Sequence, residues 1–467
     1  ASDLAARIER SDDHIMLSGE PAAALAAMEQ DWEALYVLAK HMVADGRSHH
    51  TGTIMGAWAL AAQGQGDAGL VMLDSMDQFL NNYQSQTRLS QQALMAEYIG
   101  NAELAVAYAQ DLLEQDNLDQ NIVLDMTGIL LRNGNADDGM LWIKRLGLPF
   151  PRARMLAEIE SGESPLLKSP DVINLIATGI VTSQIDPMQQ SYQPISLARL
   201  YLAAYLDSNN DYAKYLIAES YIEAGLTDDG VAMLSLIPDH SVWYPEARIN
   251  MAVALRSESG QGSLALTIIN DLLDDYPENP LIWAEKALTA QRNQHHAEAE
   301  KAFSKAMSLG LNNGRMLYYL AIAQADQGKD DLAETSFRQS IEQAPFNPYS
   351  LNYFGYWLIE KNRGFEEAKS YIQKAVDKQP ENGAFVDSLG WVYFKMGDYQ
   401  NALFYLERAA MLIPDDPVIT DHLGDVYWAL ERQTEAMHEW RRALIFAPDA
   451  ELEKHIQTKI IRTLADE

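Results

Sequence analysis

The chain has 467 residues, of which 48% are apolar and 9% aromatic, so it can build a packed core and is not globally disordered. Its 35 Lys and Arg oppose 67 Asp and Glu, and this net charge of −32 disfavours nucleic acids and anionic membrane surfaces as partners. The absence of cysteine excludes disulfides, thiol chemistry and cysteine-ligated metals. No apolar run approaches the roughly 18 residues that a transmembrane helix needs.

Residues 1–150 are predicted to form degenerate helical repeats. Gly100 and Gly134 lie 34 residues apart, and each closes an apolar helix. Before Thr51 the pattern is helical, but the sequence does not fix the register of the repeats.

Residues 151–194 interrupt this rhythm and are predicted to be an irregular connector. We interpret Asp171 to Asn210 as one repeat whose turn carries an insertion, from Ser183 to Pro194. Two interpretations of this insertion remain open: an inert segment or hinge between two arrays, and a functional loop.

Residues 195–467 carry a regular period of 34 residues. The period is clearest in the last two units. The first of them carries Leu389-Gly390, Ala402, Leu406, Ala409 and Pro414, and the second carries, at the same positions, Leu423-Gly424, Ala436, Trp440, Ala443 and Pro448. Earlier units begin at Glu246, Pro280, Gly314 and Pro348, and the last of these has one extra residue in the turn sequence NRGF. The pattern predicts pairs of helices and no strands.

Each recurring residue type has a physical reason for its place. A glycine inside a helix costs about 1 kcal/mol, so Gly390 and Gly424 predict a close crossing with the second helix, at Ala402 and its counterpart. Pro414 ends the second helix because proline lacks the backbone donor that would continue it. After the last repeat, Leu452, Ile456 and Ile460 predict a final helix that covers its apolar end.

This period, with its Leu-Gly, Ala, large apolar and Pro positions, resembles the tetratricopeptide repeat, a helix–turn–helix unit. The resemblance implies an all-α fold, a right-handed α-solenoid superhelix of such repeats. The stretches NYFGY (352–356), DSLGW (387–391) and DHLGD (421–425) further resemble a group of exported proteobacterial tetratricopeptide proteins, several of them lipoproteins. The likeness covers roughly the last 300 residues.

The resemblance implies a scaffold or adaptor in envelope assembly, or in the regulation of a protease or hydrolase. The sequence opens at Ala1-Ser2 rather than Met, which favours removal of a signal peptide and a location in the periplasm or at the outer membrane. A cytoplasmic location is the alternative. Because the chain has no cysteine, a lipidated residue would have to precede Ala1.

Stacked helical hairpins leave a groove that is lined by the first helix of each repeat. By resemblance, the second, fifth, ninth, twelfth and thirteenth positions of each repeat line it. The candidate partner-binding residues are Tyr349, Asn352, Tyr356, Asp387, Trp391, Phe394, Asp421, Asp425 and Trp428.

Three of these residues, Asn352, Asp387 and Asp421, share one repeat position and predict a polar ladder along the groove. Aromatic residues with acidic neighbours suit a protein or peptide partner with apolar and basic side chains. A structural interpretation also remains open, in which the Asp residues bond to neighbouring helices and the final helix buries the tryptophans.

We find no sequence signal for chemistry. Metalloprotease, phosphate-loop and nucleophile-elbow motifs are absent, and neither pair of adjacent histidines can chelate a metal alone. His422, Asp421 and Ser388 have the residue types of a hydrolase triad, but adjacent helical positions point apart. We predict a non-enzymatic binding protein without cofactor or metal; the alternative is a self-assembling structural subunit that forms homo-oligomers.

Overall fold

The computed structural model describes residues 19–45, 49–76, 82–115, 117–147, 151–183, 194–258 and 260–466. Within these ranges the chain forms 26 α-helices and short 3₁₀ segments, with no strand, which confirms the predicted all-α class. The chain divides into two compact units, Ala1–Asn293 and Gln294–Glu467. The predicted insertion lies outside the described residues, except for Ser183 and Pro194 at its ends.

The first unit contains sixteen helices among its described residues. They are α1 (Glu20–Met28), α2 (Trp32–Asp45), α3 (His49–Ala62), α4 (Gly66–Asp74), α5 (Asn82–Tyr98), α6 (Ala102–Leu113), α7 (Gln120–Arg132), α8 (Ala136–Arg145), α9 (Arg152–Ser161), α10 (Val172–Thr182), α11 (Pro194–Leu206), α12 (Asp211–Glu223), α13 (Thr227–Leu234), α14 (Tyr244–Ser257), α15 (Gly262–Asp275) and α16 (Pro280–Arg292). A 3₁₀-helix, Pro165–Leu167, lies between α9 and α10. The predicted boundaries at residues 150 and 194 stay predictions.

The second unit contains ten helices among its described residues. They are α17 (His296–Ser308), α18 (Gly314–Ala325), α19 (Asp330–Gln343), α20 (Pro348–Glu360), α21 (Phe365–Lys378), α22 (Gly383–Lys395), α23 (Tyr399–Leu412), α24 (Pro417–Ala429), α25 (Gln433–Ile445) and α26 (Ala450–Asp466). Four antiparallel hairpins, α18–α19, α20–α21, α22–α23 and α24–α25, follow one another along the chain.

In the turns of the hairpins, one residue at an equivalent position has the left-handed backbone conformation. In the N-terminal hairpins these residues are Gln30, Gly64, Gly100 and Gly134, with φ of 57°, 78°, 82° and 86°. The spacing is 34, 36 and 34 residues, so Gln30 fixes the register that the sequence left undetermined. Glycine is favoured at positive φ because it has no Cβ, and a glutamine there is hard to recognise.

Side-chain caps start the first helix of each repeat in the second unit. Asn313, Asn347, Asn382 and Asp416 each accept a hydrogen bond from a backbone N–H in the first turn of the following helix. Such caps satisfy donors that the helix itself leaves unpaired. The regular start of these helices is therefore encoded at intervals of 34 or 35 residues.

The helical glycines lie at close crossings, as predicted, but with a different partner. A Cβ on Gly390 would lie 2.6 Å from Cγ of Leu406, and one on Gly424 would lie 2.5 Å from Trp440. The side chain of the large residue therefore comes nearest to the glycine, and Ala402, four positions earlier, is fully buried within the hairpin. The prediction named only the alanine, one helical turn before the residue that comes nearest.

The final helix, α26, packs against α25 with the predicted apolar face. Ile456 is fully buried, and Leu452 and Ile460 pack around the same core cluster. This helix covers apolar surface that the last hairpin would otherwise expose to water.

In the first unit, α10 covers the first helices of two N-terminal hairpins, α3 and α5. Thr87 on α5 donates to the carbonyl oxygen of Thr182 at 3.1 Å. A Cβ on Gly179 of α10 would lie 2.7 Å from side-chain atoms of both Gln91 and Ile54. Every residue from Thr51 to Ala61 is buried. This side of the N-terminal hairpins is occupied by the chain itself.

Candidate functional site

All nine predicted partner-binding residues lie in the second unit, on three successive first helices, α20, α22 and α24. We call the side of these helices that carries them the first-helix face. Tyr349 and Trp428 are its exposed aromatics, at 55% and 37% of their possible surface. Asn352, Tyr356, Phe394 and Asp425 are half-buried, whereas Asp387, Trp391 and Asp421 are buried.

The buried part of this face is a chain of contacts between repeats. Nδ1 of His422 lies 2.9 Å from Oδ1 of Asp387, which belongs to the preceding first helix. The His422 ring stacks on Trp391, with centroids 3.8 Å apart, and Trp391 in turn stacks on Phe394. Nε1 of Trp391 donates to Oε1 of Glu360 at 3.1 Å. Polar and aromatic contacts therefore connect α20, α22 and α24.

The charge state of His422 depends on competing effects. Burial lowers the pKa of His422, but the carboxylates of Asp387, Asp421 and Asp425 outweigh it and raise that pKa above its ordinary value. The acidic surroundings thus favour the protonated ring, which forms an ion pair with Asp387.

Two acidic residues at the end of the face bind a lysine from the final helix. Nζ of Lys459 lies 2.8 Å from Oδ2 of Asp421 and 2.7 Å from Oδ1 of Asp425. Nε1 of Trp440 also donates to Asp425. Burial and the neighbouring Asp425 raise the pKa of Asp421, and Lys459 opposes that rise. The cluster attaches α26 to α24.

The predicted polar ladder contains two kinds of residue. Asp387 and Asp421 each have a charged partner two helices further along the chain, on α24 and α26, as the structural interpretation expected. Asn352 differs, because its Oδ1 is buried and has no hydrogen-bond partner among the described residues. Contact with a partner protein stays a prediction for all three.

The triad suggested by residue types does not form. His422 pairs with Asp387, on another helix, rather than with the adjacent Asp421. Oγ of Ser388 donates to the backbone oxygen of Ala384 at 2.9 Å.

Sequence reasoning missed two of these partners, Lys459 and His422, although their spacing carries a signal. Lys459 lies 34 residues after Asp425, and His422 lies 35 residues after Asp387. Each is therefore about one repeat beyond the acid it binds.

A cavity of about 230 Å³ opens on the first-helix face between α20, α22 and the start of α24. Its lining residues are Asn352, Tyr353, Tyr356, Ala384, Asp387, Ser388, Asp416, Val418 and Ile419. Burial and the nearby Asp326 raise the pKa of Tyr353 to about 12. Burial, with Glu360 and Asp387, raises that of Tyr356 still further. Both phenols are therefore neutral hydrogen-bonding groups at physiological pH.

The described part of the chain shows no group of three or more metal-ligating side chains arranged around a common point. Of its helices, none is both long enough and apolar enough to cross a membrane.

Comparison with known proteins finds tetratricopeptide repeats, which are helical hairpins, in two segments of the chain. Family models described as tetratricopeptide repeat match residues 284–348 and residues 387–416. The TPR repeat-containing protein PA4667 of Pseudomonas aeruginosa is 27% identical over 114 residues, which are 24% of this chain and only 19% of that protein.

Two solved structures have a similar course of the chain. A tetratricopeptide repeat protein from Parabacteroides merdae is 13% identical and has a TM-score of 0.46, with 54% of this chain and 98% of that chain covered. Yeast Tom70 is 15% identical and has a TM-score of 0.42, with 97% and 96% covered. With TM-scores below 0.5, these likenesses say nothing about function.

Repeat period, hairpins and family matches lead to the same assignment. Tetratricopeptide repeat proteins are generally non-enzymatic scaffolds that bind other proteins. The chain thus contains tetratricopeptide repeats, at residues 284–348 and 387–416.

Proposed function

We propose that this protein is a scaffold or adaptor without enzymatic activity, which binds a partner polypeptide along the first-helix face of its second unit. The observation that carries the proposal is the open cavity on that face, flanked by the exposed ring of Tyr349. Large exposed aromatics beside a cavity are typical of surfaces that recognise another protein. The tetratricopeptide repeats support the same general role.

The partner segment is expected to present apolar and basic side chains. Tyr349 and Trp428 are exposed, and Phe394 and Tyr356 are half-buried, so apolar groups of a partner have rings to pack against. Glu360 is exposed on the same face, beside Trp391, and its carboxylate favours a positive charge nearby.

A double substitution tests this face directly. Tyr349→Ala with Trp428→Ala removes the two exposed rings. Because these rings contact the buried rings of Phe385 and Trp440, the variant must also keep its helical circular dichroism.

The matched control is Phe404→Ala with Met411→Ala, which removes two exposed apolar side chains from α23, the second helix of its hairpin. We expect the first pair alone to abolish cross-linked capture of a specific protein from native extract. Equal capture by both double variants would contradict the proposal.

For the cellular role, we propose envelope assembly, or the regulation of a protease or hydrolase, in the periplasm or at the outer membrane. The support is the resemblance of the stretches at 352–356, 387–391 and 421–425 to exported proteobacterial proteins. Fractionation of native cells, with an antibody against the chain, tests the location. Recovery with cytoplasmic markers would contradict it.

Self-assembly is a second candidate, favoured by two apolar side chains on the second helices. Met411 and Ile445 occupy equivalent positions of consecutive repeats and are 74% and 77% exposed. A copy of the chain that packed on α23 and α25 would bury both. Sedimentation over a hundredfold range of concentration distinguishes the two functions, because self-assembly requires the mass to rise with concentration.

A further inference from the structure

The cavity on the first-helix face is lined by acceptors and by no cation. Asp387 and Asp416 contribute carboxylates, Asn352 an amide, and Tyr353 and Tyr356 hydroxyls. None of the nine lining residues is Lys, Arg or His. Such a cavity suits a ligand that supplies hydrogen-bond donors and positive charge.

The first turn of α24 contributes to the wall of the cavity, and a free helix N-terminus favours an anion. The two backbone donors there are already used: Oδ1 of Asp416 accepts from the N–H groups of Val418 and Ile419 at 2.8 and 2.9 Å. A helix N-terminus carries about half a positive charge and the protonated His422 beside Asp387 one more, whereas Asp416 and Asp387 together bring two negative charges. The balance therefore favours a cation.

Some of this acceptor capacity is unused within the described chain. His422 approaches Oδ1 of Asp387, and no other described group hydrogen-bonds to that carboxylate. Oδ1 of Asn352 is buried without a hydrogen-bond partner among the described residues, which is energetically unfavourable. The amide of Asn352 can turn about χ2, a broad torsion, and present this oxygen to a bound donor.

We propose that the cavity binds one arginine side chain of the partner segment, an assignment that rests on the proposed function of this face. A volume of about 230 Å³ is smaller than a typical small-molecule site and fits a single side chain. Arginine suits it better than lysine, because a planar guanidinium offers five donors to separate acceptors and stacks on aromatic rings. Tyr353 and Tyr356 supply such rings.

To test this proposal, a phage-displayed library of random nonapeptides is selected for binding to the immobilised full chain. We expect the enriched peptides to share an arginine at one fixed position. The best peptide is then synthesised with that arginine, and again with citrulline, which keeps the shape and removes the charge. We expect the citrulline peptide to bind at least about tenfold more weakly.

Three substitutions link that preference to this cavity. Asn352→Lys places a cation in it and should reduce affinity for the arginine peptide to the citrulline level. Asn352→Asp adds an acidic acceptor and should tighten binding of the arginine peptide by roughly fivefold, with no gain for the citrulline peptide. Gln400→Lys makes the same change of charge at an exposed position of α23 and should leave both affinities unchanged.

The outcomes separate this inference from the function on which it rests. Enriched peptides without a shared arginine, or equal affinities of the two peptides, would overturn the arginine site and leave the binding function standing. Failure to enrich any peptide would contradict the function itself. If Asn352→Lys does not fold, the citrulline comparison and Asn352→Asp still decide the question.

Discussion

The first helices of the N-terminal hairpins and those of the second unit are used differently. In the first unit, α10 lies against α3 and α5, and the polar side chains Thr87 and Gln91 of α5 are buried. In the second unit, α20, α22 and α24 retain exposed rings and an open cavity. First helices can thus be packed against the chain itself or left open, and the open ones are where we propose that a partner binds.

The two units also differ in charge. Residues 1–293 contain 17 Lys and Arg against 40 Asp and Glu, whereas residues 294–467 contain 18 against 27. Most of the acidity therefore belongs to the unit whose N-terminal hairpins are covered. A strong net charge promotes solubility, and it does not by itself mark a binding site.

The largest change in stability is expected for a substitution that distinguishes a packing role from a binding role on the first-helix face. Trp391→Ala removes a buried ring that contacts Phe394, His422 and Glu360, and should destabilise the second unit by about 3–5 kcal/mol. Phe404→Ala removes an exposed ring and should cost under about 1 kcal/mol. Denaturant unfolding measures both. A small effect of Trp391→Ala would show that its ring is available for a ligand rather than needed for packing.

A buried ion pair allows the contribution of packing to stability to be tested in the first unit. Arg199 on α11 binds Glu20 on α1 at 3.0 Å, and Glu20 is fully buried. Glu20→Gln removes the charge from a buried ion pair and should destabilise this unit by about 3 kcal/mol. Glu366→Gln breaks the exposed pair with Lys369 and should cost no more than about 1 kcal/mol. Faster hydrogen exchange in α1 and α11 for Glu20→Gln alone is the expected pattern; protection equal to that of the unchanged protein would contradict it.

A smaller effect is expected where the final helix joins the second unit. Lys459→Met leaves the carboxylates of Asp421 and Asp425 without their cation and should destabilise α26 by about 2 kcal/mol. Lys454→Met, on the exposed side of the same helix, is the control. Hydrogen exchange should accelerate across residues 450–466 in the first variant only. Equal exchange in both would mean that Ile456 and its apolar neighbours hold α26 without the ion pairs.

The smallest effect is a pH dependence centred on His422. Asp387, Asp421 and Asp425 raise its folded pKa, and the folded protein therefore holds this proton more tightly than the unfolded chain does. The stabilisation is complete below the ordinary histidine pKa of about 6.5 and is lost as pH rises through the folded value. We expect the melting temperature to fall by a few °C across that window, and His422→Gln to remove this part of the dependence. An unchanged profile in His422→Gln would contradict the assignment.

Several features of the fold could be predicted from sequence because they recur. Gly390 and Gly424, the Ala and Pro positions, and the apolar face of the final helix repeat at one period, and each has a local physical cause. The turn at Gln30 escaped detection because glutamine replaces the glycine that marks equivalent turns.

The remaining features depend on distant, non-periodic contacts. The packing of α10 joins Thr87 to Thr182, 95 residues apart, and no sequence pattern signals it. The candidate binding residues were predicted from their positions in the repeat, which do not reveal how deeply each side chain is buried. Asp387 and Asp421 pair with other repeats, whereas Tyr349 remains exposed. The cavity also includes Asp416 and Ile419, because the start of the next repeat completes its wall.

The most direct measurement is site-specific photo-cross-linking in native extract. A photoreactive residue replaces Tyr349 or Trp428 on the first-helix face, and Val71 or Phe404 at exposed positions of other helices. Adducts are then identified by mass spectrometry. We predict that one and the same polypeptide is cross-linked from residues 349 and 428 and from neither control. Adducts that form only from residue 71 or residue 404 would contradict a binding face on the first helices of the second unit.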